Sequence, residues 1–150
     1  MKDDFNLQRF VVAQDQVYAA ALDELRAGEK RSHWMWYIFP QIKGLGHSVM
    51  ARQYAITSPE EAKAYLGHPL LGSRLRECTG LVMNVEGRRA EQIFPYPDNM
   101  KFRSSMTLFM EVSTGNNIFQ DALLKYFNGQ PDHSTLAILR HSGGSSFFTA

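Results

Sequence analysis

The sequence predicts an all-α protein: a single irregular domain of about six to seven short helices over residues 1–150. Apolar residues recur three and four positions apart along most of the chain, as they do on one face of an α-helix. No segment shows the sustained alternation or the tight-turn signals that paired strands require. Hydrophobic residues make up 44% of the chain and aromatic residues 12%, which is enough for one core.

The first predicted helix spans residues 7–27, because its apolar residues keep helical spacing and Gly28 can end it. Those apolar residues are Phe10, Ala13, Val17, Ala21 and Leu25. Two shorter helices are predicted to follow. One is capped by Ser32 and closed by Pro40, and the other covers residues 49–55.

Ser58 marks the clearest helix start, because it is a good N-cap, Pro59 suits the first helical position, and Glu61 completes the capping motif. The next predicted helix runs from Pro69 to about Met83. Its apolar stripe consists of Leu71, Leu75, Cys78 and Val82. Cys78 is the only cysteine of the chain, and we predict that it is a small buried core residue without a disulfide partner.

Three predicted helices complete the fold. Asp98 can cap a helix that ends before Gly115. The apolar residues of that helix are Phe102, Met106, Phe109 and Val112. A second helix ends at Asn128 and Gly129, and its stripe consists of Ile118, Phe119, Ala122, Leu123 and Tyr126. Asp132 opens the last helix.

Charge and the N-terminal sequence indicate partners and location. Sixteen Lys and Arg residues oppose fifteen Asp and Glu residues, so the net charge is +1 and a nucleic-acid partner is not expected. No apolar stretch approaches the roughly 20 residues of a membrane span, and the acidic start at Asp3 and Asp4 is unlike a secretory signal. We therefore predict a cytoplasmic protein that does not associate with membranes.

Residues 30–41 form the first candidate site. This segment contains both tryptophans, Trp34 and Trp36, together with Tyr37, and the cations Arg31 and His33 lie beside them. One interpretation is a core helix with aromatic residues at its rim. The other is a pocket wall, where a ring stacks a base and the cations meet a phosphate.

Two further stretches contain polar residues with helical spacing. A glycine turn at Gly44 and Gly46 precedes a helix with Arg52 one turn inside, which is an ordinary loop or a weak anion cradle. Asp98, Lys101 and Ser105 fall on one helical face, either as a solvated stripe or as groups that hold a ligand. The five histidines show no metal-ligand spacing, so we predict a site without a metal.

Several motifs of the chain are distinctive as a set. They are Leu7-Gln8-Arg9-Phe10, Ser32-His33-Trp34-Met35-Trp36-Tyr37-Ile38-Phe39-Pro40-Gln41, Gly44-Leu45-Gly46, Tyr54-Ala55-Ile56, His68-Pro69 with Leu71-Gly72, and Lys101-Phe102-Arg103-Ser104-Ser105-Met106-Thr107-Leu108-Phe109. Together they resemble the bacterial domain-of-unknown-function family numbered 1810 over nearly the whole chain. That resemblance implies a mainly α-helical fold and no established activity. The name calpastatin, used for some members, does not suit this chain, because calpastatin segments are disordered charged repeats.

The order of the helices is also similar to that of the NAD/ADP-ribose-associated family. Members of that family are implicated in cleaving N-glycosidic bonds of nucleotide-derived substrates. They carry a glutamate before a His-aromatic pair, whereas Ser32 precedes His33 and Trp34 in this chain. A glutamate-based mechanism is therefore not implied.

We predict one pocket that binds a nucleotide-like or phosphorylated small molecule. Its walls and polar groups are expected to be Arg31, His33, Trp34, Trp36, Tyr37, Gln41, Arg52, Lys101 and Ser105. An enzyme with this pocket would hydrolyse an N-glycosidic bond without metal or cofactor, with His33 or Asp98 as acid or base. The alternative is a non-catalytic adaptor whose residues 33–41 dock a protein partner, which a contiguous exposed aromatic patch would indicate.

Overall fold

The computed structural model describes residues 3–142, and this part of the chain forms nine α-helices. They are α1 Gln8–Ala27, α2 Met35–Ile38, α3 Val49–Gln53, α4 Pro59–Gly67, α5 Leu71–Met83, α6 Ala90–Ile93, α7 Asp98–Glu111, α8 Ile118–Phe127 and α9 His133–Ser142. Six of them are longer than two turns, and α2, α3 and α6 are single turns. The predicted all-α fold is confirmed. Within the described residues, none of these helices has the length and apolar character to cross a bilayer.

The helix ends with local sequence signals lie where the sequence predicts them. Gly28 has a left-handed φ of 76° and its N–H bonds to carbonyls of the last turn of α1. The Oγ of Ser58 accepts a hydrogen bond from the N–H of Glu61 at 3.1 Å, which caps α4. Asn128 ends α8 with a φ of 56°. Asp132 caps the start of α9 through its bond from the N–H of Thr135 at 3.2 Å.

Several predicted helix boundaries differ from the structure, and the helix predicted to start at Pro69 begins at Leu71. Ser32 does not cap a helix, because its hydroxyl donates to the carboxylate of Glu24, and α2 begins only at Met35. Asp98 is the first residue of α7 rather than its cap, since its carboxylate pairs with lysines instead of backbone N–H groups. The helix predicted over residues 49–55 ends at Gln53.

The core is rich in aromatic rings and is enclosed by α1, α4, α5, α7 and α8. Phe94 stacks on Phe102 with ring centroids 4.6 Å apart, and Phe39 meets Phe102 edge-on at 5.1 Å. Helices α4 and α5 approach closely at Gly72, where a Cβ atom would lie 2.0 Å from the carbonyl oxygen of Leu66. Residues that are far apart in the sequence thus pack into one core.

Cys78 is fully buried in α5, as the sequence predicts. Burial raises the pKa of its thiol to about 12, although a hydrogen bond to the Tyr18 hydroxyl acts in the opposite direction. The thiol is therefore protonated at neutral pH and does not contact solvent.

Residues 43–55 form a loop that is closed at its base. Ile42 and Ile56 pair as an isolated parallel bridge, with the N–H of Lys43 donating to the carbonyl of Ile56 at 2.8 Å. The guanidinium of Arg9 in α1 donates to the carbonyls of Gln53 and Ala55. This closure fixes the position of the loop that follows the aromatic segment.

Candidate functional site

The first and third sequence-predicted segments meet at an ion-paired cluster. The Nζ of Lys30 lies 2.8 Å from Oδ2 of Asp98, and the Nζ of Lys101 lies 3.6 Å from Oδ1 of the same carboxylate. Each ammonium also lies over an indole ring: Lys30 is 5.1 Å from the ring centroid of Trp34, and Lys101 is 5.2 Å from that of Trp36. Both distances are within the range of cation–π attraction.

The carboxylate of Glu24 in α1 holds the loop that leads into this cluster. It accepts hydrogen bonds from the N–H of Arg31 at 2.6 Å, the N–H of Ser32 at 2.9 Å and Nε1 of Trp34 at 3.0 Å. The N–H of Lys30 donates to the carbonyl of Ile93 at 2.8 Å. Residues 30–34 therefore have a defined conformation before α2 begins.

Burial within α2 decides which aromatic rings face solvent. Met35 and Ile38 point into the core, so Trp36 and Tyr37 on the other side of the turn remain half-buried. The Tyr37 hydroxyl donates to the carbonyl of His33 at 3.1 Å, and burial together with Tyr54 raises its pKa. Tyr37 therefore acts as a neutral hydrogen-bonding group.

Two clefts border the cluster and share Gln41 and Gly46. The first, which we call the Lys101 cleft, has a volume of about 240 Å³. Its lining includes Gln41, Leu45, Met100, Lys101, Asp132 and Ser134. The second, which we call the Trp36 cleft, is a narrow space of about 20 Å³ lined in part by Trp36, Gln41 and Arg52. Lys101 therefore lies in one cleft while its ammonium lies over the ring that borders the other.

The structure separates the sequence-predicted site residues into three groups. Trp36, Gln41, Arg52 and Lys101 line these clefts. Trp34 and Ser105 are completely buried, so a ligand in either cleft does not reach them. The reason is their orientation: Trp34 faces the core on the same side of the segment as Ile38, and Ser105 lies one turn below Lys101 on α7.

Arg31 and His33 lie on the exposed surface and line neither cleft. Arg31 is 3.7 Å from the carboxylate of Glu29, an exposed pair that holds it outward. Tyr37 also lies outside the two linings. Asp98 borders the Lys101 cleft only through its ion pair with Lys101.

Sequence reasoning missed the contribution of Asp132 and Ser134 to the Lys101 cleft. The sequence indicates Asp132 only as the start of a helix, and it gives no signal for a site at Ser134. The cleft combines residues 41–46, 97–104 and 132–134, which come together only through tertiary packing.

Larger open clefts lie elsewhere on the molecule. One has a volume of about 600 Å³, and its lining includes Arg76, residues 112–114 and residues 116–119. The aromatic residue in this lining, Phe119, is only 1% exposed. We place the candidate site at the Lys101 cleft instead, because several hydrogen-bonding groups line it and its cation lies over the half-buried indole of Trp36 beside it. Among residues 3–142, no group of three His, Cys, Asp or Glu side chains could hold a metal ion.

Comparisons with known proteins identify a family for this chain and a similar solved structure. The family described as "Protein of unknown function (DUF1810)" matches residues 4–139. The crystal structure of the conserved hypothetical protein Rv1873 from Mycobacterium tuberculosis is similar, with 55% sequence identity and a TM-score of 0.90. The similarity covers 91% of this chain and 98% of that one. No curated protein sequence matches the chain. The kinship to the NAD/ADP-ribose-associated family remains a hypothesis from helix order alone.

Proposed function

The chain belongs to the DUF1810 family of proteins of unknown function, and from the geometry of its own residues we propose that it binds a nucleotide-like, phosphorylated small molecule. Lys101 would hold the anionic group and Trp36 would stack the base. Gln41, which lines both clefts, would hydrogen-bond the ligand between these two points. The cytoplasmic location stays a prediction from the sequence.

The position of Lys101 carries this proposal. Its Nζ is 3.6 Å from Asp98 and 5.2 Å from the Trp36 ring, and its side chain is 27% exposed. A phosphate that approaches from the cleft meets this ammonium first, and charge-assisted hydrogen bonds to phosphate are among the stronger ones in proteins. A cation beside a ring is the combination that a nucleotide requires.

Lys101 can change partner without leaving a buried charge unpaired. Asp98 keeps the closer ion pair with Lys30, at 2.8 Å, when Lys101 turns toward a ligand. The Lys101 pair is longer and more exposed, and such pairs contribute little to stability. Binding of an anion therefore needs only a small rearrangement of one side chain.

The exposed part of Trp36 supports the choice of a ring-bearing ligand. Stacking of a base on an aromatic side chain is worth about 1–3 kcal/mol. Because the Trp36 cleft has a volume of only about 20 Å³, the base would stack on the exposed part of Trp36 outside that cleft, where exposed Arg52 can meet a second anionic group. The charge available to the ligand is modest, since Asp98 balances one of the two lysines.

For an N-glycoside ligand, the reaction that we propose for this site is metal-independent hydrolysis. Once Lys101 binds phosphate, Oδ1 of Asp98 can take a proton from water, whose oxygen then bonds to the anomeric carbon. The C–N bond breaks with its electron pair on the base nitrogen, which takes a proton from solvent, since the predicted acid His33 lies outside both clefts. Loss of base release in Asp98→Asn with retained binding would support this step, and unchanged release would contradict it.

The adaptor alternative lacks its expected feature. Residues 33–41 do not form a contiguous exposed aromatic patch, because Trp34, Met35, Ile38 and Phe39 are at most 2% exposed. The larger Lys101 cleft, whose lysine lies over the Trp36 ring, favours a ligand site instead.

Calorimetric titration with ADP, NAD and ADP-ribose tests the proposal. We expect binding of at least one of them, weakened at least about tenfold by Lys101→Ala and by Trp36→Leu, since each contact is worth about 1–3 kcal/mol. Arg26→Ala is the matched control, because it removes an exposed cation of α1 outside both clefts. Absence of binding by all three compounds, or an unchanged affinity in Lys101→Ala, would overturn the proposal.

A further inference from the structure

We infer that Asp132 recognises the sugar of the ligand, so that the Lys101 cleft selects a ribose over a 2-deoxyribose. This inference rests on the proposed function and adds the part of the ligand that the cleft itself holds. It is carried by the hydrogen bonds of Asp132 and by the chemistry of the groups around it.

The carboxylate of Asp132 is fixed through one of its two oxygens. Oδ2 accepts hydrogen bonds from Ser104 Oγ at 2.9 Å, from the N–H of Thr135 at 3.2 Å and from the Thr135 hydroxyl. The main-chain N–H of Asp132 donates to the hydroxyl of Thr107 at 2.8 Å. Thr107 and Thr135 are fully buried, so the structure holds this carboxylate in one orientation.

Its second oxygen remains open to a ligand. All three hydrogen bonds that described residues donate to the Asp132 side chain end on Oδ2, and none of them ends on Oδ1. An ionised carboxylate only accepts hydrogen bonds, so a ligand group that bonds to Oδ1 must be a hydrogen-bond donor. Neighbouring hydroxyls of a sugar are such donors, and a carboxylate that binds a ribose 2′-hydroxyl is a recurring arrangement in nucleotide sites.

The rest of the cleft suits a sugar as well. The Ser134 hydroxyl and the Gln41 amide can both donate and accept, while Leu45, Pro97 and Met100 offer apolar contacts for the C–H face of a ring. The volume of about 240 Å³ lies below the roughly 300–1,000 Å³ of pockets for drug-sized ligands. A sugar phosphate fits this space, and the base would then lie outside it, toward Trp36.

Charge determines the direction of the ligand. A phosphate avoids the Asp132 carboxylate and binds at Lys101, whereas the uncharged hydroxyls bind at Asp132. Asp98 does not compete for the sugar, because it is not part of the cleft lining and its Oδ2 stays paired with Lys30. The two ends of the cleft therefore differ in what they accept.

Titration of the protein with ribose 5-phosphate and with 2-deoxyribose 5-phosphate, followed by two-dimensional NMR, tests this inference. We expect ribose 5-phosphate to bind at least about tenfold more tightly, because a hydrogen bond to a charged group is worth about 1.5–3 kcal/mol. In Asp132→Asn the preference should decrease while the affinity for the deoxy compound does not fall, because a neutral amide replaces the charged acceptor of the 2′-hydroxyl. Asp121→Asn is the matched control, since it neutralises an exposed carboxylate of α8 outside the cleft.

Asparagine is as good an N-cap as aspartate, so the Asp132 variant is expected to keep α9, which thermal unfolding checks. The comparison of the two sugar phosphates on the unmodified protein needs no variant. Equal binding of the two would overturn the inference, and so would binding of ADP without any binding of ribose 5-phosphate; both leave the proposed function intact. A preference of unchanged size in Asp132→Asn would overturn the role of this residue. Failure of nucleotides and sugar phosphates alike would overturn both proposals.

Discussion

The Nζ of Lys30 lies 2.8 Å from Oδ2 of Asp98, and the two side chains are only 7% and 18% exposed. Lys30 follows the end of α1 and Asp98 begins α7, so this pair connects two long helices that are far apart in sequence. The same lysine lies 5.1 Å from the Trp34 ring. One buried ammonium thus joins the core indole to the wall of the candidate site.

Removal of this ammonium should destabilise the fold. Lys30→Met keeps the apolar stem but leaves Asp98 with the longer pair to Lys101 alone. Breaking a buried ion pair from one side costs about 3–5 kcal/mol. We expect about 2–3 kcal/mol, below that range, because Asp98 retains Lys101 and is partly exposed. Urea unfolding measures this difference. The double variant Lys30→Met with Asp98→Asn should recover part of the loss, and a loss under about 0.5 kcal/mol for the single variant would contradict the pairing.

Glu24 should make the stability of the fold depend on pH in the acidic range. Burial alone would raise the pKa of Glu24, but hydrogen bonds from Ser32, Arg31 and Trp34 outweigh it and lower the pKa below the ordinary 4.5. Because the folded pKa is the lower one, this contribution to stability is complete above pH 4.5 and is lost as the pH falls through the folded value.

Unfolding curves at neutral pH and at a series of pH values below 4.5, with tryptophan fluorescence as the signal, test this dependence. Glu24→Gln should reduce the free energy of unfolding at neutral pH by about 1 kcal/mol, because it removes the charged acceptor of several partly exposed donors. The variant should also show a shallower acid dependence than the unmodified protein. Parallel pH profiles would show that Glu24 does not contribute.

Gly72 should tolerate no side chain. A Cβ atom at this position would lie 2.0 Å from the carbonyl oxygen of Leu66, and backbone atoms of α4 cannot move aside as a flexible side chain can. We expect Gly72→Ala to reduce the free energy of unfolding by roughly 3 kcal/mol or to prevent folding. Gly67→Ala is the matched control, since a Cβ there meets no atom within 4 Å and should change stability by less than about 0.5 kcal/mol. Similar stabilities of the two variants in thermal melts would argue against the close helix contact.

Ser105 should contribute to neither binding nor stability. Its Oγ is fully buried and has no hydrogen-bond partner among the described residues. Because an unpaired buried hydroxyl costs about 1–3 kcal/mol, Ser105→Ala should leave stability unchanged or raise it by about 1 kcal/mol. Nucleotide affinity in calorimetry should equal that of the unmodified protein. A large loss of affinity would mean that a ligand reaches this hydroxyl after all.

Local patterns were sufficient for most of the helices but not for the roles of particular polar residues. Ser58 and Gly28 act on backbone groups within a few positions, so their neighbours in sequence reveal them. Ser32 could cap a helix in the same way, but its hydroxyl instead donates a hydrogen bond to the carboxylate of Glu24 in the preceding helix. The carboxylate of Asp98 likewise forms an ion pair with the buried Lys30 instead of capping its helix. Competition from a distant partner, which no local window contains, explains both differences.

The candidate site shows the same division. The density of rings and cations in residues 30–41 predicts Trp36 as a site residue, and helical spacing predicts Lys101. The Nζ of Lys101 lies 5.2 Å from the centroid of the Trp36 ring, and this contact between residues far apart in the sequence could not be derived from spacing. The position of Asp132 in the cleft was not predicted, because a role as helix cap already accounts for an aspartate at this point of the sequence.

Cys78 has a practical consequence for the study of this protein. It is the only thiol of the chain, and it is both enclosed and protonated at neutral pH. Maleimides and other thiol-directed dyes react with exposed thiolates, so the unmodified protein should remain unlabelled. A cysteine introduced at exposed Met100, on the edge of the Lys101 cleft, would then be the single reactive position. A fluorophore or spin label attached there would report directly on the environment of that edge, with no need to replace the native cysteine first.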